Sequence, residues 1–402
     1  MSQIDRNRSE VGPLVVESVL GGLLEASHDL PPDELPAVLA AAAERLGATR
    51  ARLYLADVEQ RWLVPLTGAD TSSEPLDING TLAGRAFQTS EPTGAVQTED
   101  RWFPVRDGAE RLGVLRLRFA AFDDAAATNA GHLASMAAKL VVTEGNYSDM
   151  FIRTRRRHPV DLAAELQWRL LPPLTFSTPD LRVAGILEPA YQVAGDSFDY
   201  SLDGRVLTAA IFDGVGHDLS SAVAATLAVG AYRNARRRGR GLADTATDVD
   251  TALRAHFANQ MFVTAALLEL DVATGTVHWL NAGHPRPLLL REGHVVRTLA
   301  CPPRPPLGIT APAGRAVAPE IGTEQLEPGD ALLLFTDGVV EARSAHDEAF
   351  GFTRLGEFFQ RASAAHLAPP ETLRRLIHDV IAHNDGRLRD DATCMLVEWR
   401  SR

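Results

Sequence analysis

Beyond residue 180 the chain is a succession of short apolar runs, LRVAGILEP, RVLTAAIFD, FVTAALLELD, TVHWLNAG, RPLLLRE, DALLLFTDG and TCMLVEW, separated by turn-forming residues. Runs of this length and composition read as strands. Helical patterns intervene only at about 219–238, 244–256 and 370–383, so the regular strand and helix alternation that builds a parallel sheet is missing. The second half is therefore expected to fold as an antiparallel β-sandwich flanked by helices. No internal repeat is present.

The first half has a different order. Residues 33–46, DELPAVLAAAAERL, carry helical periodicity with an alanine-rich face. After Gly47 the runs ARLYLADV, RWLVPLTG and RLGVLRLRFA read as strands, and residues 123–150 as a second helix. This is an α+β unit of sensor size. Between the halves, FIRTRRRHPVDLAAELQWRLLPPL (151–174) has an arginine run expected to be a solvated face, then helical spacing from Val160 to Leu171 that Pro172 and Pro173 stop. The expected organisation is a tail over 1–17, a sensor domain over 18–146, a connector helix over 147–175 and a C-terminal domain over 176–402. The fold class is α+β, and the connector is a route for a signal.

A chain of 402 residues exceeds one ordinary core. With 40 basic and 52 acidic residues its net charge is −12, which disfavours nucleic acid and membrane surfaces as partners. The basic run RNARRRGRG (233–241) is expected to be a solvated helix terminus, with docking of an acidic protein as the alternative. Cys301 and Cys394 lie far apart with no CxxC spacing, which argues against a disulfide framework or a zinc site and fits a reducing cytoplasm. The polar N-terminus has no signal-peptide core, and no stretch reaches the roughly 20 apolar residues a membrane span needs.

Acids recur at the ends of the apolar runs. VAGDSFD places Asp196 and Asp199, AAIFDGVGH places Asp213, LLLFTDGVVEA places Asp337, and RLRDDATCMLVEW places Asp390 and Asp391. Carboxylates held close together repel unless a cation neutralises them. Oxygen ligands without cysteine or paired histidine favour Mg²⁺ or Mn²⁺ over zinc. A glycine after an aspartate lets the backbone turn tightly and its carbonyl approach a ligand. The pattern points to a binuclear metal site.

The ordered motifs VAGDSFD, DGVGHDLSSA, FVTAALLELD with NAGHPRPLLL, PPLGI, DALLLFTDGVVEA and DDATCMLVEW resemble the PPM family of metal-dependent serine/threonine protein phosphatases. The nearest resemblance is to the bacterial branch containing the SpoIIE and RsbU regulators, over about residues 160–400. The resemblance implies two divalent cations, Mn²⁺ or Mg²⁺. Asp213 would bridge them with the Gly214 carbonyl, Asp196 would serve the second metal, and Asp337 and Asp390 would hold the first. Asp390 matches the family ligand in place of Asp391, and Asp199 matches a recurring acid without a settled role. Catalysis would run through a metal-activated water held by Asp196, Asp213, Asp337 and Asp390. For His217 and His284 two roles stay open, proton donor to the leaving alkoxide or hydrogen bonding of strand-end loops. Asn281 is expected to fix the turn of its own motif.

The chain departs from the family pattern at Asp218, where glycine is usual, and at Ser220 and Ser221, where alanines are. Asp218 is expected either to contact the metal shell or to cap the following helix. No clear match to the phosphate-binding arginine of eukaryotic members is found. Over residues 18–146 the order of elements around LAGRAFQTSEP resembles a GAF domain, which implies binding of a small ligand or dimerisation. No cysteine suits a bilin or a cluster there, and His28 and His132 read as surface residues. The resemblance as a whole implies a cytoplasmic, homodimeric phosphatase acting on a phosphorylated STAS-type anti-anti-sigma protein, under control of an unidentified small-molecule or protein activator. The alternatives are a non-catalytic scaffold and a phosphatase of a small phosphorylated metabolite.

Overall fold

The computed structural model describes residues 13–67, 74–95, 98–188, 191, 195–216, 218–302, 304–309, 320–386 and 388–400. Two compact units divide between His158 and Pro159.

The N-terminal unit opens with helices α1 (Pro13–Ala26) and α2 (Leu35–Arg45), then strands β1 (Arg50–Ala56), β2 (Trp62–Pro65) and β3 (Leu76–Asp77). Helix α3 (Leu82–Thr89) leads to β4 (Thr93–Gly94), β5 (Asp100–Asp107) and β6 (Glu110–Arg118), and α4 (Asp124–Glu144) and α5 (Met150–Arg155) close the unit. The strands form one antiparallel sheet in the order β3-β2-β1-β6-β5-β4. Both faces are covered, which is why its inner strands read as unbroken apolar runs. Leu53, Leu55, Leu115 and Leu117 pack beneath α1, α2 and α4, while Tyr54, Ala56 and Val114 pack against Ala83, Ala86 and Phe87 of α3. Thr81 and Asp123 cap α3 and α4 by accepting the N–H groups of Gly84 and Ala126.

The stretch over 147–175 differs from the single connector helix expected of it. Arg156 leaves helical backbone at φ −95, ψ 120, and Pro159 lacks an N–H to continue the ladder. Two short helices result, α5 and α6 (Leu162–Leu170). Nor is the arginine run a solvated face throughout. Arg155 Nε donates to the Ala56 carbonyl at 2.9 Å, and the Arg157 guanidinium lies 4.6 Å from the centre of the Trp62 ring.

The C-terminal unit continues from α6 through β7 (Thr175–Ser177), β8 (Leu181–Glu188), β9 (Asp196–Asp203) and β10 (Val206–Gly214) to α7 (Leu219–Arg237) and α8 (Leu242–Phe257). Strands β11 (Val263–Asp271), β12 (Thr276–Ala282), β13 (Leu288–Arg291), β14 (His294–Thr298), β15 (Gly322–Gln325) and β16 (Ala331–Phe335) follow. The chain then forms α9 (Asp337–Val340), α10 (Gly351–Ala364), α11 (Pro369–His383) and β17 (Ala392–Trp399). One sheet has the order β15-β12-β11-β10-β9 and the other β14-β13-β16-β17-β8-β7, with antiparallel pairing between the named strands.

Strand residues alternate between two cores. Leu207, Ala209 and Ile211 of β10 meet Leu332, Leu334, Met395 and Val397 of the opposite sheet in the inner core. Ala210 and Phe212 instead pack beneath α7 and α8. On the far side Leu333, Phe335, Cys394 and Leu396 pack against α10 and α11. The result is four layers, helices over sheet over sheet over helices, as the strand pattern predicts. Helix α10 was not expected from the sequence; its Leu355, Phe358, Phe359 and Ala362 form one buried stripe. Both cysteines are free, and among the described residues no helix is long and apolar enough to cross a membrane.

The two sheets interlock at Phe198. It is fully buried, and a side chain on Gly185 of the facing strand β8 would sit 2.3 Å from its ring. Phe198→Ala is expected to cost about 3–5 kcal/mol, the usual loss for an emptied aromatic site. Urea unfolding of the full chain measures this, and an unchanged midpoint would exclude the interlock as a source of stability.

Candidate metal centre

The alternation that separates the two cores also decides where the acids point. On β10, Asp213 follows Leu207, Ala209 and Ile211 on the inner face; on β9, Asp196 precedes the inner-core Phe198 by two. The two acids are directly paired across the ladder. Asp337 follows β16 by two residues and opens α9, and Asp390 and Asp391 lead into β17, the neighbour of β16. Four chain segments thus bring their carboxylates to one end of the sandwich, at the seam between its sheets.

Buried hydrogen bonds hold this end together. Asp391 Oδ2 accepts the N–H groups of Gly195 at 2.9 Å and Asp196 at 3.4 Å, tying the second sheet to the first. The Thr336 hydroxyl donates to Asp196 Oδ2 at 2.7 Å and accepts the Thr393 N–H at 3.0 Å. Asp390 Oδ1 accepts the Asp391 N–H at 2.9 Å, and the Gly214 N–H donates to the Gly195 carbonyl at 3.0 Å. Glycine is required by close backbone approach. A Cβ on Gly338 would lie 1.9 Å from the Asp391 carbonyl oxygen, and one on Gly195 would lie 2.3 Å from that of Gly214.

Burial is the largest cause raising the pKa of Asp196, Asp213 and Asp337, and neighbouring carboxylates add to it. Asp196 is pushed well above the ordinary carboxylate range by burial and then by Asp391 and Asp213. Asp213 rises to about 7 through burial and then Asp337, Asp390 and Asp391. Asp337 rises through burial and then Asp390 and Glu341. Among the described residues no three or more His, Cys, Asp or Glu groups are drawn together as a ready ion-binding set. The donor chemistry, carboxylates with backbone carbonyls and no sulfur, fits a hard divalent cation.

The remaining candidates separate by their surroundings. His217 lies outside the described residues. His284 is buried, burial lowers it to about 3, and its Nδ1 lies 2.7 Å from Thr264 Oγ1. Asn281 holds its own turn, accepting the His284 N–H at 3.0 Å and donating to the His284 carbonyl at 2.8 Å. Asp218 caps α7 by accepting the N–H groups of Ser220 and Ser221 at 2.9 and 3.2 Å. Asp199 faces away from the acids and is buried beneath α7, where Arg233 at 2.7 Å and Arg236 at 2.8 Å pair with it. Those two arginines are therefore not part of a solvated helix end, and Arg233 also donates to the Leu170 carbonyl of α6. Sequence reasoning missed Thr264, Thr336 and the anchoring by Asp391. The available signal was position, since each lies on the inner face of its strand or one strand step beyond it.

Residues 203–400 match the family model described as Stage II sporulation protein E (SpoIIE), so the C-terminal unit is similar to that family. Protein IcfG of Synechocystis is 25% identical over 279 residues, covering 61% of this chain and 42% of IcfG. Phosphoserine phosphatase RsbP of Bacillus subtilis is 27% identical over 155 residues, 37% of each chain. The chain thus spans about two-fifths of the length of these two relatives. The solved SiaA-PP2C domain of Pseudomonas aeruginosa aligns with a TM-score of 0.49 at 20% identity, covering 60% of this chain and 94% of that one.

The raised carboxylates give a stability signature. Asp213 ordinarily titrates at 3.8 and here at about 7, so the metal-free folded chain holds its proton more tightly than the unfolded chain does. That stabilisation is complete below the unfolded value and is lost as pH rises through the folded one. In EDTA the melting temperature is expected to fall as pH rises from about 4 to about 7 and to level off above that. Asp213→Asn should reduce the fall and melt above the parent at the higher pH. Thermal melts in EDTA check this, and an Asn variant with the parent's pH dependence would count against the cluster.

Proposed function

We propose that this chain is a binuclear-metal serine/threonine phosphoprotein phosphatase. The observation that carries the reading is the convergence of Asp196, Asp213, Asp337 and Asp390, from four chain segments, at one end of a rigid sandwich. Asp213 would bridge two cations, Mn²⁺ or Mg²⁺, with the Gly214 carbonyl; Asp196 would hold one, and Asp337 and Asp390 the other. Bound there, the cations supply polarisation of a water and of the phosphoryl oxygens.

The protein's own groups do the positioning. Thr336 fixes the carboxylate of Asp196, and Asp391 fixes the backbone on which Asp196 stands. Asp391 spends its Oδ2 on that anchoring, while Asp390 is exposed and close enough to raise both Asp213 and Asp337; this favours Asp390 as the ligand. Cys394 is buried with its thiol pushed far above the ordinary range, so it is no candidate nucleophile.

The substrate in this reading is a phosphorylated STAS-type anti-anti-sigma protein, in keeping with the phosphoserine phosphatase activity named for the relative RsbP. The N-terminal unit, with helices on both faces of its sheet, would serve as a GAF-like sensor that receives a small-molecule or protein signal and pairs two copies in the cytoplasm. That signal would shift the segment leading into the C-terminal unit and complete the centre, a two-state coupling.

Hydrolysis of para-nitrophenyl phosphate by the full chain is expected with Mn²⁺, and at background with EDTA or in Asp213→Asn. Turnover by Asp213→Asn at the parent's rate would remove the site assignment. A chain that leaves both this ester and a phosphorylated STAS protein intact with Mn²⁺ would instead be a binding scaffold.

A further inference from the structure

The acid end of the C-terminal unit is open. Asp390 is exposed and Asp213 and Asp337 are partly so, which leaves these carboxylates within reach of a group arriving from solvent. Two exposed apolar side chains border the opening, one from each helix layer. Leu219 is the first residue of α7, closely following Asp213 in the chain, and is 43% exposed. Phe352 stands at the start of α10 and is 59% exposed; its ring meets that of Phe335 edge-on, with centroids 6.0 Å apart. Phe335 ends β16, just before Asp337.

Singly exposed apolar residues are ordinary on a protein surface. These two are set apart by their place and by how firmly they are held. The turn from Asp213 into α7 is fastened by the Ser221 hydroxyl, which donates to the Val215 carbonyl at 2.7 Å, and by the Val215 N–H, which donates to the Phe262 carbonyl at 3.1 Å. The apolar stripe that packs α10 against its sheet, Leu355, Phe358 and Phe359, is buried without any help from Phe352. Among the described residues Phe352 carries the one exposed aromatic ring of the C-terminal unit. Seated on Phe335, that ring is ordered in advance, so a partner that covers it loses little conformational freedom in doing so.

A phosphoserine or phosphothreonine side chain is short. For its phosphoryl group to reach the carboxylates, the folded protein that carries it must bring its own surface down onto the rim of the centre, whereas a small ester enters without touching that rim. We propose that Leu219 and Phe352 form an apolar rim on which a phosphoprotein substrate seats, with Phe352 as the anchor, and that the partner presents apolar surface beside its phosphorylated residue. This rests on the reading of the centre as a phosphoprotein phosphatase. Aromatic anchors carry a large share of the binding energy at protein interfaces, so the rim selects a protein over a phosphorylated metabolite, which gains nothing from it.

The test compares two substrates on the full chain with Mn²⁺, a phosphorylated STAS protein and para-nitrophenyl phosphate. Phe352→Ala is expected to raise KM for the phosphoprotein about five- to thirtyfold, with its kcat and the hydrolysis of the small ester within about twofold of the parent. Phe352→Tyr keeps the ring and is expected to return KM to within about threefold of the parent. Leu219→Ala is expected to show the same split in smaller measure. A folded Phe352→Ala with the parent's KM, an equal loss on both substrates in a folded variant, or a Phe352→Tyr no better than Phe352→Ala would each overturn the inference. If Phe352→Ala fails to fold by circular dichroism, Leu219→Ala decides, and the parent's KM in that variant would overturn it. A parent chain that hydrolyses the ester but leaves the phosphoprotein intact would overturn the phosphoprotein reading and this inference with it; one that hydrolyses neither would overturn the phosphatase reading itself.

Discussion

Carboxylates crowded at a partly buried strand end are in conflict with one another, and the C-terminal unit is arranged around that conflict. Each negative charge loses hydration through burial and meets the field of its neighbours, so the ionised forms of Asp196, Asp213 and Asp337 are all disfavoured. A protein tolerates such a cluster only if surrounding structure fixes it and a cation or protons neutralise it. Here the fixing is visible in detail. Asp391 draws on two backbone N–H groups of the opposite sheet, and Thr336 links Asp196 to the backbone of β17. The glycines at 195 and 338 bring backbones nearer than any side chain would allow.

That precision depends on layers farther from the centre. Phe198 fills the space Gly185 leaves and keeps the sheets in register. One residue on, Asp199 points the opposite way and is neutralised by Arg233 and Arg236 of α7. Breaking such a buried pair would leave uncompensated charge, so it acts as a specific lock. Arg233 extends the lock to the end of α6 through the Leu170 carbonyl. Strand β9 is therefore held on both faces, by the acid centre on one and by α6 and α7 on the other.

Much of this was legible before any coordinates. The apolar runs gave the strands because alternation is dictated locally by the pleat, and the cap at Asp218, one of the two roles expected of it, follows from a short side chain that reaches backbone N–H groups. Other features were misread for physical reasons. Arginines 233 and 236 looked solvated because a charged side chain's partner is invisible until a strand from 34 or 37 residues earlier is folded against it. The connector looked like one helix because helical spacing resumes after Pro159. Helix α10 escaped notice because its apolar stripe is interrupted by charge and lacks an N-cap side chain.

The amino-acid sequence by itself determined that the second half is a strand-rich antiparallel fold, and which acids stand at strand tips, since both depend only on local pattern and residue type. Only the tertiary structure decided which acids face one another. The parity of each strand and the packing of one sheet on the other put Asp196 and Asp213 inside, Asp199 outside and Asp391 between the sheets. Neighbouring residues of one motif, Asp390 and Asp391, have the same chemistry; one residue of pleat, and the donors it meets across the seam, gives them different work.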